Sequence, residues 1–159
     1  MHISARADYA MRAVLVLAEA GAAGRAARPV KAETIATAQG LPGASVEAIL
    51  GQLKRSGLVL STRGPDGGHR LVRSPSEITV ADVIRAVDGP LADVRGLRPE
   101  DAEYEGAAAH LVNVWIAARA ALRTVVEVVT IADILDGTFP LPVAALIDDP
   151  DSWKRRERY

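Results

Sequence analysis

Apolar residues recur at three- and four-residue spacing through most of the chain, the period of a helix buried along one side. The clearest case is residues 44–56, where Val46, Ile49, Leu50 and Leu53 share a face. Ser45, Glu47, Ala48, Gln52 and Arg55 fall on the opposite one. Gly57 predicts the end of that helix, because glycine takes the left-handed backbone of a C-terminal cap. Residues 58–62 are extended and β-branched, and residues 69–72 can pair back on them. Between the two lies Arg63-Gly64-Pro65-Asp66-Gly67-Gly68, the composition of a tight turn.

The same reading extends both ways. Ser4 predicts an N-cap for a first helix to about residue 22, with Tyr9, Ala13, Val16 and Leu17 inward. Residues 21–29 are a connector without periodicity. Residues 31–39 predict a short helix with Ile35 and Ala36 inward, stopped by Gly40, and Leu41-Pro42-Gly43 makes the next turn. Thr79-Val80-Ala81-Asp82 has capping-box form, with Asp where Glu is usual, and opens a helix over residues 80–87. Asp88-Gly89-Pro90 stops it, and residues 91–106 are a polar loop. The longest helix is expected over residues 107–129, where Leu111, Trp115, Ala118, Leu122, Val125 and Val129 form a stripe widened by Ile116 and Val126. Thr130-Ile131-Ala132-Asp133 repeats the capping pattern ahead of a last short helix to Leu135. With Pro140, Pro142, Pro150 and the basic Lys154-Arg155-Arg156, residues 138–159 read as an irregular tail.

Helix, helix, turn, helix, hairpin is the order of a winged helix-turn-helix. The expected fold is therefore mainly α. A winged domain over residues 1–90 carries a two-stranded wing. A sensor-type loop (91–106), a long helix with its closing helix (107–137) and the tail follow. A three-helix winged domain has no room to bury the long stripe, so Leu111, Trp115, Ala118, Leu122, Val125 and Val129 are expected to pair two copies of the chain.

Charge sharpens the picture. The chain has a net charge of −1, but residues 1–74 hold 10 basic and 5 acidic side chains, and residues 75–159 hold 9 and 15. A basic N-terminal half suits a phosphate surface. The helix fits a major groove, and the hairpin reaches flanking DNA. Arg63, at the wing tip, can enter a minor groove or clamp a phosphate. Glu47 can accept from a cytosine amino group, and Gln52 can pair with a base edge. Lys54, Arg55, Arg70 and Arg6 are expected on phosphates, which set register rather than sequence. The absence of cysteine among 159 residues excludes disulfides and any thiolate-held cluster or zinc site supplied by this chain. His2, His69 and His110 are too scattered for a convincing metal site within one chain, although two subunits could combine them with loop carboxylates. No apolar run reaches membrane-span length, and the expected location is cytoplasmic.

Several of these segments together resemble the bacterial winged-helix regulators of Rrf type, typified by IscR, NsrR and CymR. The resemblance covers residues 3–135. It rests on Ser4-Ala5-Arg6-Ala7-Asp8-Tyr9-Ala10, Gly57-Leu58-Val59 and above all the wing turn 63–68. Ile78-Thr79-Val80, Val83-Ile84, Ala86-Val87, Trp115 and Thr130-Ile131-Ala132-Asp133-Ile134-Leu135 add to it. It implies a homodimeric DNA-binding transcriptional regulator, a repressor on a palindromic operator of double-stranded DNA, and not an enzyme. The cysteine-metabolism regulator suggests an alternative, a winged module that docks a metabolic enzyme.

The departures matter. Many members carry three cysteines in the loop before the long helix and hold an iron–sulfur cluster there. Here that loop offers Arg98, Glu100, Asp101, Glu103, Tyr104 and Glu105, so no cofactor is expected. Asp8 matches an oxygen ligand of some members; without cysteine partners it is read as structural or near phosphate. His69 stands where the wing commonly has Tyr. Ser45 and Ala48 replace larger side chains while Glu47 is retained, which implies a different operator. Gly67, Gly68, His69 and Arg70 complete the expected DNA-binding set. Tyr104, His110 and Trp115 mark the region where a small-molecule or protein effector would act.

Overall fold

The computed structural model describes residues 3–21, 23–24 and 27–155. His2 and Arg156, singled out above, lie outside the described residues. The first helix, α1 (Ala5–Glu19), starts where the Ser4 hydroxyl accepts a hydrogen bond from the Ala7 amide at 2.9 Å. Its Ala10, Ala13, Val14 and Leu17 are fully enclosed. The small side chains let α1 serve as the axis on which α2 (Ala32–Gln39), α3 (Gly43–Arg55) and α4 (Val80–Asp88) pack.

The outline of α3 follows its pattern. Val46, Ile49, Leu50 and Leu53 are buried, each worth about 1.5–3 kcal/mol over exposure. At its end the Leu58 amide donates to the Leu53 carbonyl at 2.9 Å and the Gly57 amide to Lys54 at 3.1 Å, with Gly57 at φ 77°. That cap delivers the chain into β1 (Val59–Thr62), which pairs antiparallel with β2 (Gly68–Leu71), Val59 opposite Leu71 and Thr62 opposite Gly68. A further pairing on the wing was not anticipated. Val30 bonds β2 on its other edge, its amide donating to the His69 carbonyl at 2.8 Å and its carbonyl accepting from His69 at 2.7 Å.

Both capping boxes form. Thr79 and Asp82 exchange bonds of 3.2 Å, and Thr130 and Asp133 bonds of 3.1 and 2.8 Å. The two threonines face each other in an isolated antiparallel bridge, which brings α6 (Ile131–Asp136) against α1 and buries Ile131.

Three expectations need correction. The long helix, α5 (Leu111–Val126), is shorter than residues 107–129, with a 3₁₀ turn over Gly106–Ala108 before it. Val129 lies past its end, is 4% exposed within its own protomer, and accepts from the Val80 amide at 2.9 Å. It therefore leaves the proposed dimer stripe, because the chain there turns to set Thr130 against Thr79. The tail, expected to be irregular, contains α7 (Leu141–Asp148) and a 3₁₀ turn at Pro150–Trp153. Pro140 and Pro142 bracket the start of α7, where a missing amide hydrogen costs nothing.

Candidate nucleic-acid interface

Glu47, Ala48, Lys54 and Arg55 are exposed on α3, and Ser45 and Gln52 are half-buried beside them. The wing stands close to this face, since His69 on β2 feels the charges of both Glu47 and Lys54. Burial holds the His69 pKa below its ordinary value of 6.5; Glu47 opposes that shift and Lys54 reinforces it. The imidazole is therefore neutral at neutral pH.

Among the described residues, the buried side-chain polar atoms without a hydrogen-bond partner are Gln52 Oε1, His69 Nδ1 and Arg70 Nε. All three lie on α3 or the wing. An unpartnered buried polar atom costs free energy, so the junction of α3 and the wing carries a local stability cost. Arg70 also donates through Nη1 to Thr62 Oγ1 at 3.3 Å, which braces the wing across its two strands.

Charge is arranged to match. Among the described residues, Arg28, Lys31, Lys54, Arg55, Arg63 and Arg70 make no ion pair, whereas Arg73, Arg85 and Arg119 do. Arg63 is exposed at the wing tip. Arg28, Lys31 and Thr34 line a cleft of about 400 Å³ with the wing turn at Pro65, Asp66 and Gly67. Sequence reasoning missed these three, because the connector holding Arg28 has no periodicity and nothing in the helix segment holding Lys31 and Thr34 shows that it meets the wing.

Other expected members are placed differently. Arg6 does not join the wing: its guanidinium bonds Asp88 at 3.1 Å, and Ser4 donates to the same carboxylate at 2.5 Å, which ties the start of α1 to the end of α4. Asp8 pairs with Arg12 at 3.6 Å one turn along α1. Gly67 and Gly68 shape the wing and leave no room for a side chain. A β-carbon on Gly67 would fall 2.3 Å from the Thr62 carbonyl oxygen, and one on Gly68 2.6 Å from that of Val30.

Where an effector was expected to act, Trp115 Nε1 donates to the Tyr104 hydroxyl at 3.0 Å, and the Arg95 guanidinium lies 5.7 Å from the Tyr104 ring centre. His110 sits exposed at the N-cap of α5 and gives no capping bond. On α5, Val114 is 55% and Trp115 38% exposed, and Ala118 is exposed too. Leu111, Leu122 and Val125 are half-buried. No helix among the described residues is long and apolar enough to cross a membrane.

Comparison with known proteins places this geometry. The Rrf2 family, described as "Iron-dependent Transcriptional regulator", matches residues 3–137. The HTH-type protein Rv1287 of Mycobacterium tuberculosis (strain ATCC 25618 / H37Rv) is 45% identical over 149 residues, 94% of this chain and 90% of the relative. The HTH-type transcriptional regulator CymR of Bacillus subtilis (strain 168) is 30% identical over 138 residues, 87% of this chain and 92% of CymR. The solved structure of that CymR superposes with a TM-score of 0.69 at 30% identity, covering 87% of this chain and 98% of its own. The structure of T. potens IscR does so with a TM-score of 0.65 at 26% identity, covering 99% and 94%. The iron in the family's description meets an unsuitable donor set here. The chain has no cysteine, Glu100 is held by Arg119 at 2.6 Å, and Asp93 caps the Gly96 amide at 2.9 Å. Among the described residues no group of His, Asp and Glu has metal-binding geometry.

Proposed function

The chain belongs to the Rrf2 family of DNA-binding transcriptional regulators, not enzymes, and from that premise we propose that it works in the cytoplasm as a homodimeric repressor of a palindromic operator. The reading rests on one observation above the rest: Lys54, Arg55 and Arg63 are exposed on α3 and the wing and, among the described residues, join no ion pair. DNA phosphates supply the missing anions. In this reading α3 lies in the major groove with Ser45, Glu47, Ala48 and Gln52 toward base edges. Lys54, Arg55 and Arg70, joined by Arg28 and Lys31, hold phosphates, and Arg63 reaches flanking DNA.

The dimer reading is supported by Val114, Trp115 and Ala118, exposed together on a helix that buries only Val126 fully. A second copy packed on that face removes an apolar patch of the kind that marks an interaction site. It also sets two copies of α3 at a fixed separation. A small-molecule or protein signal acting on the 91–106 loop or on α5 changes that separation and releases the operator.

The test is to sequence the genomic fragments that the purified protein retains. The expected result is a shared two-fold site with half-sites about 10 base pairs apart or a multiple of that. Retention should fall steeply with salt, by about 0.9 log units per log unit of salt for each phosphate neutralised. Fragments without a common motif, or retention insensitive to salt, would remove the operator-reading function.

A further inference from the structure

Four arginines from three elements line one cleft of about 440 Å³: Arg85 on α4, Arg98 in the loop, and Arg119 and Arg123 on α5. Two carboxylates answer them. Glu100 binds Arg119 at 2.6 Å, and Glu127 is shared by Arg85 and Arg123, the latter at 3.5 Å. Among the described residues Arg98 has no carboxylate partner. The cleft thus holds an excess of two positive charges in a concave setting, where like charges repel and the field is focused. Each guanidinium has five N–H donors in a planar fork. The internal ion pairs use Nη2 of Arg85, Nη1 of Arg119 and Nε of Arg123, so most donors are left over.

We infer that this cleft binds a small dianionic oxyanion, a dicarboxylate or a phosphate monoester, and that this anion is the regulator's signal. The inference rests on the regulatory reading above and names the chemistry of its effector. Planar forks suit bidentate carboxylate or phosphate oxygens, and two extra positive charges match two negative ones. The ligand has room for a body as well. A second cleft of about 430 Å³ shares Pro90, Leu91, Ala92 and Arg119 with the first and is walled by Trp115 and Leu122. Asp88 and Asp93 line that second cleft, so the charged head belongs at the arginine end.

The position explains how binding would be felt. Arg85–Glu127 ties α4 to the end of α5, and Glu100–Arg119 ties the loop to its middle. An anion that competes with Glu100 for Arg119, or with Glu127 for Arg123, resets both ties. The helix proposed to join two copies then moves relative to the reading domain. Such coupling requires only that the anion bind one setting better than the other.

The test uses the full chain carrying Trp153→Phe, which leaves Trp115 as the one tryptophan. Sodium succinate and, separately, sodium phosphate are titrated at ionic strength matched with sodium chloride, following Trp115 fluorescence and thermal stability. A saturable change is expected. Arg98→Ala or Arg123→Gln should weaken it by about tenfold or more, the loss of hydrogen bonds to a charged group. Arg63→Ala should leave it unaltered. Saturation by succinate alone identifies a dicarboxylate site, and by phosphate alone a phosphate site. No saturable response to either anion overturns the inference. So does binding that survives Arg98→Ala and Arg123→Gln but is lost with Arg63→Ala, which would put the anion on the DNA face. Operator binding is measured on the same preparations. A protein that binds operator but no anion fails this inference alone; one that binds anion but no operator fails the regulatory reading.

Discussion

Gly68 abuts Val30 so closely that a β-carbon on it would lie 2.6 Å from the Val30 carbonyl oxygen and 2.7 Å from the carbonyl carbon. Its φ of 152° also lies where side chains are strained. Next to it, His69 and Val30 exchange two backbone hydrogen bonds. The wing is therefore fastened to the segment leading into α2 by backbone against backbone. Gly68→Ala should force that seam apart and destabilise the protein by more than about 1 kcal/mol. Operator affinity should fall with it, because the wing tip shifts relative to α3. Urea unfolding and fluorescence anisotropy on the selected operator measure the two effects. An alanine variant as stable and as tight-binding as the parent would mean that Val30 gives way without consequence.

Arg63 offers the opposite case, a side chain with no structural duty. It is exposed at the wing tip and, among the described residues, joins no ion pair. Arg63→Ala should leave the unfolding curve unchanged and weaken operator binding by about 1–3 kcal/mol if the guanidinium contacts a groove or base. A uniform loss across all sequences, with a salt slope smaller by about 1, would assign it to phosphate instead. Unaltered affinity at moderate salt would remove it from the interface.

His69 makes stability depend on pH. Burial lowers its pKa from 6.5, so the folded protein prefers the neutral ring. Above pH 6.5 the ring is neutral in both folded and unfolded chains, and its contribution is whole. As the pH falls below 6.5 the unfolded chain takes up a proton first, and stability is lost until the folded pKa is passed. His69→Gln should reduce the difference in unfolding free energy between about pH 7.5 and pH 5.5. An NMR titration should put the His69 midpoint below 6.5. A midpoint at or above that value would show that Glu47, not burial, governs the ring.

What could be read from the chain was what neighbouring residues decide among themselves. Ser4, Thr79 with Asp82, and Thr130 with Asp133 cap their helices through bonds that span three residues. The face of α3 and the turn after it are similarly local. What could not be read needed partners far apart in sequence. Nothing in either threonine motif announces that Thr79 and Thr130 pair with each other, and that pairing is what ends α5 early and buries Val129. The same holds for Val30 against His69, which brought Arg28 and Lys31 beside the wing. Arg6 was expected on phosphate from its basic charge alone; that it pairs with Asp88, 82 residues away, was not identifiable.

The proposed dimer seam must now be tested on a residue whose side chain is exposed rather than packed inside the protomer. Leu122 is a poor choice, because it lines a small cavity with Ile3, Ala7, Ile84 and Val126, so that a charge there would disturb the protomer itself. Ala118 lies on the same helix but is exposed. It sits one turn from Val114 and next to Trp115 along the stripe, which places it at the centre of the apolar face. Ala118→Glu adds a charge that water solvates in a monomer and that a packed seam would bury at high cost. The variant should therefore fold with an unchanged helix signal, sediment as a monomer, and lose the tight binding that two linked reading heads give a two-fold operator. Binding to a single half-site should persist, since α3 and the wing are untouched. If Ala118→Glu sediments as a dimer and binds the whole operator as tightly as the parent, the seam is not on this face of α5.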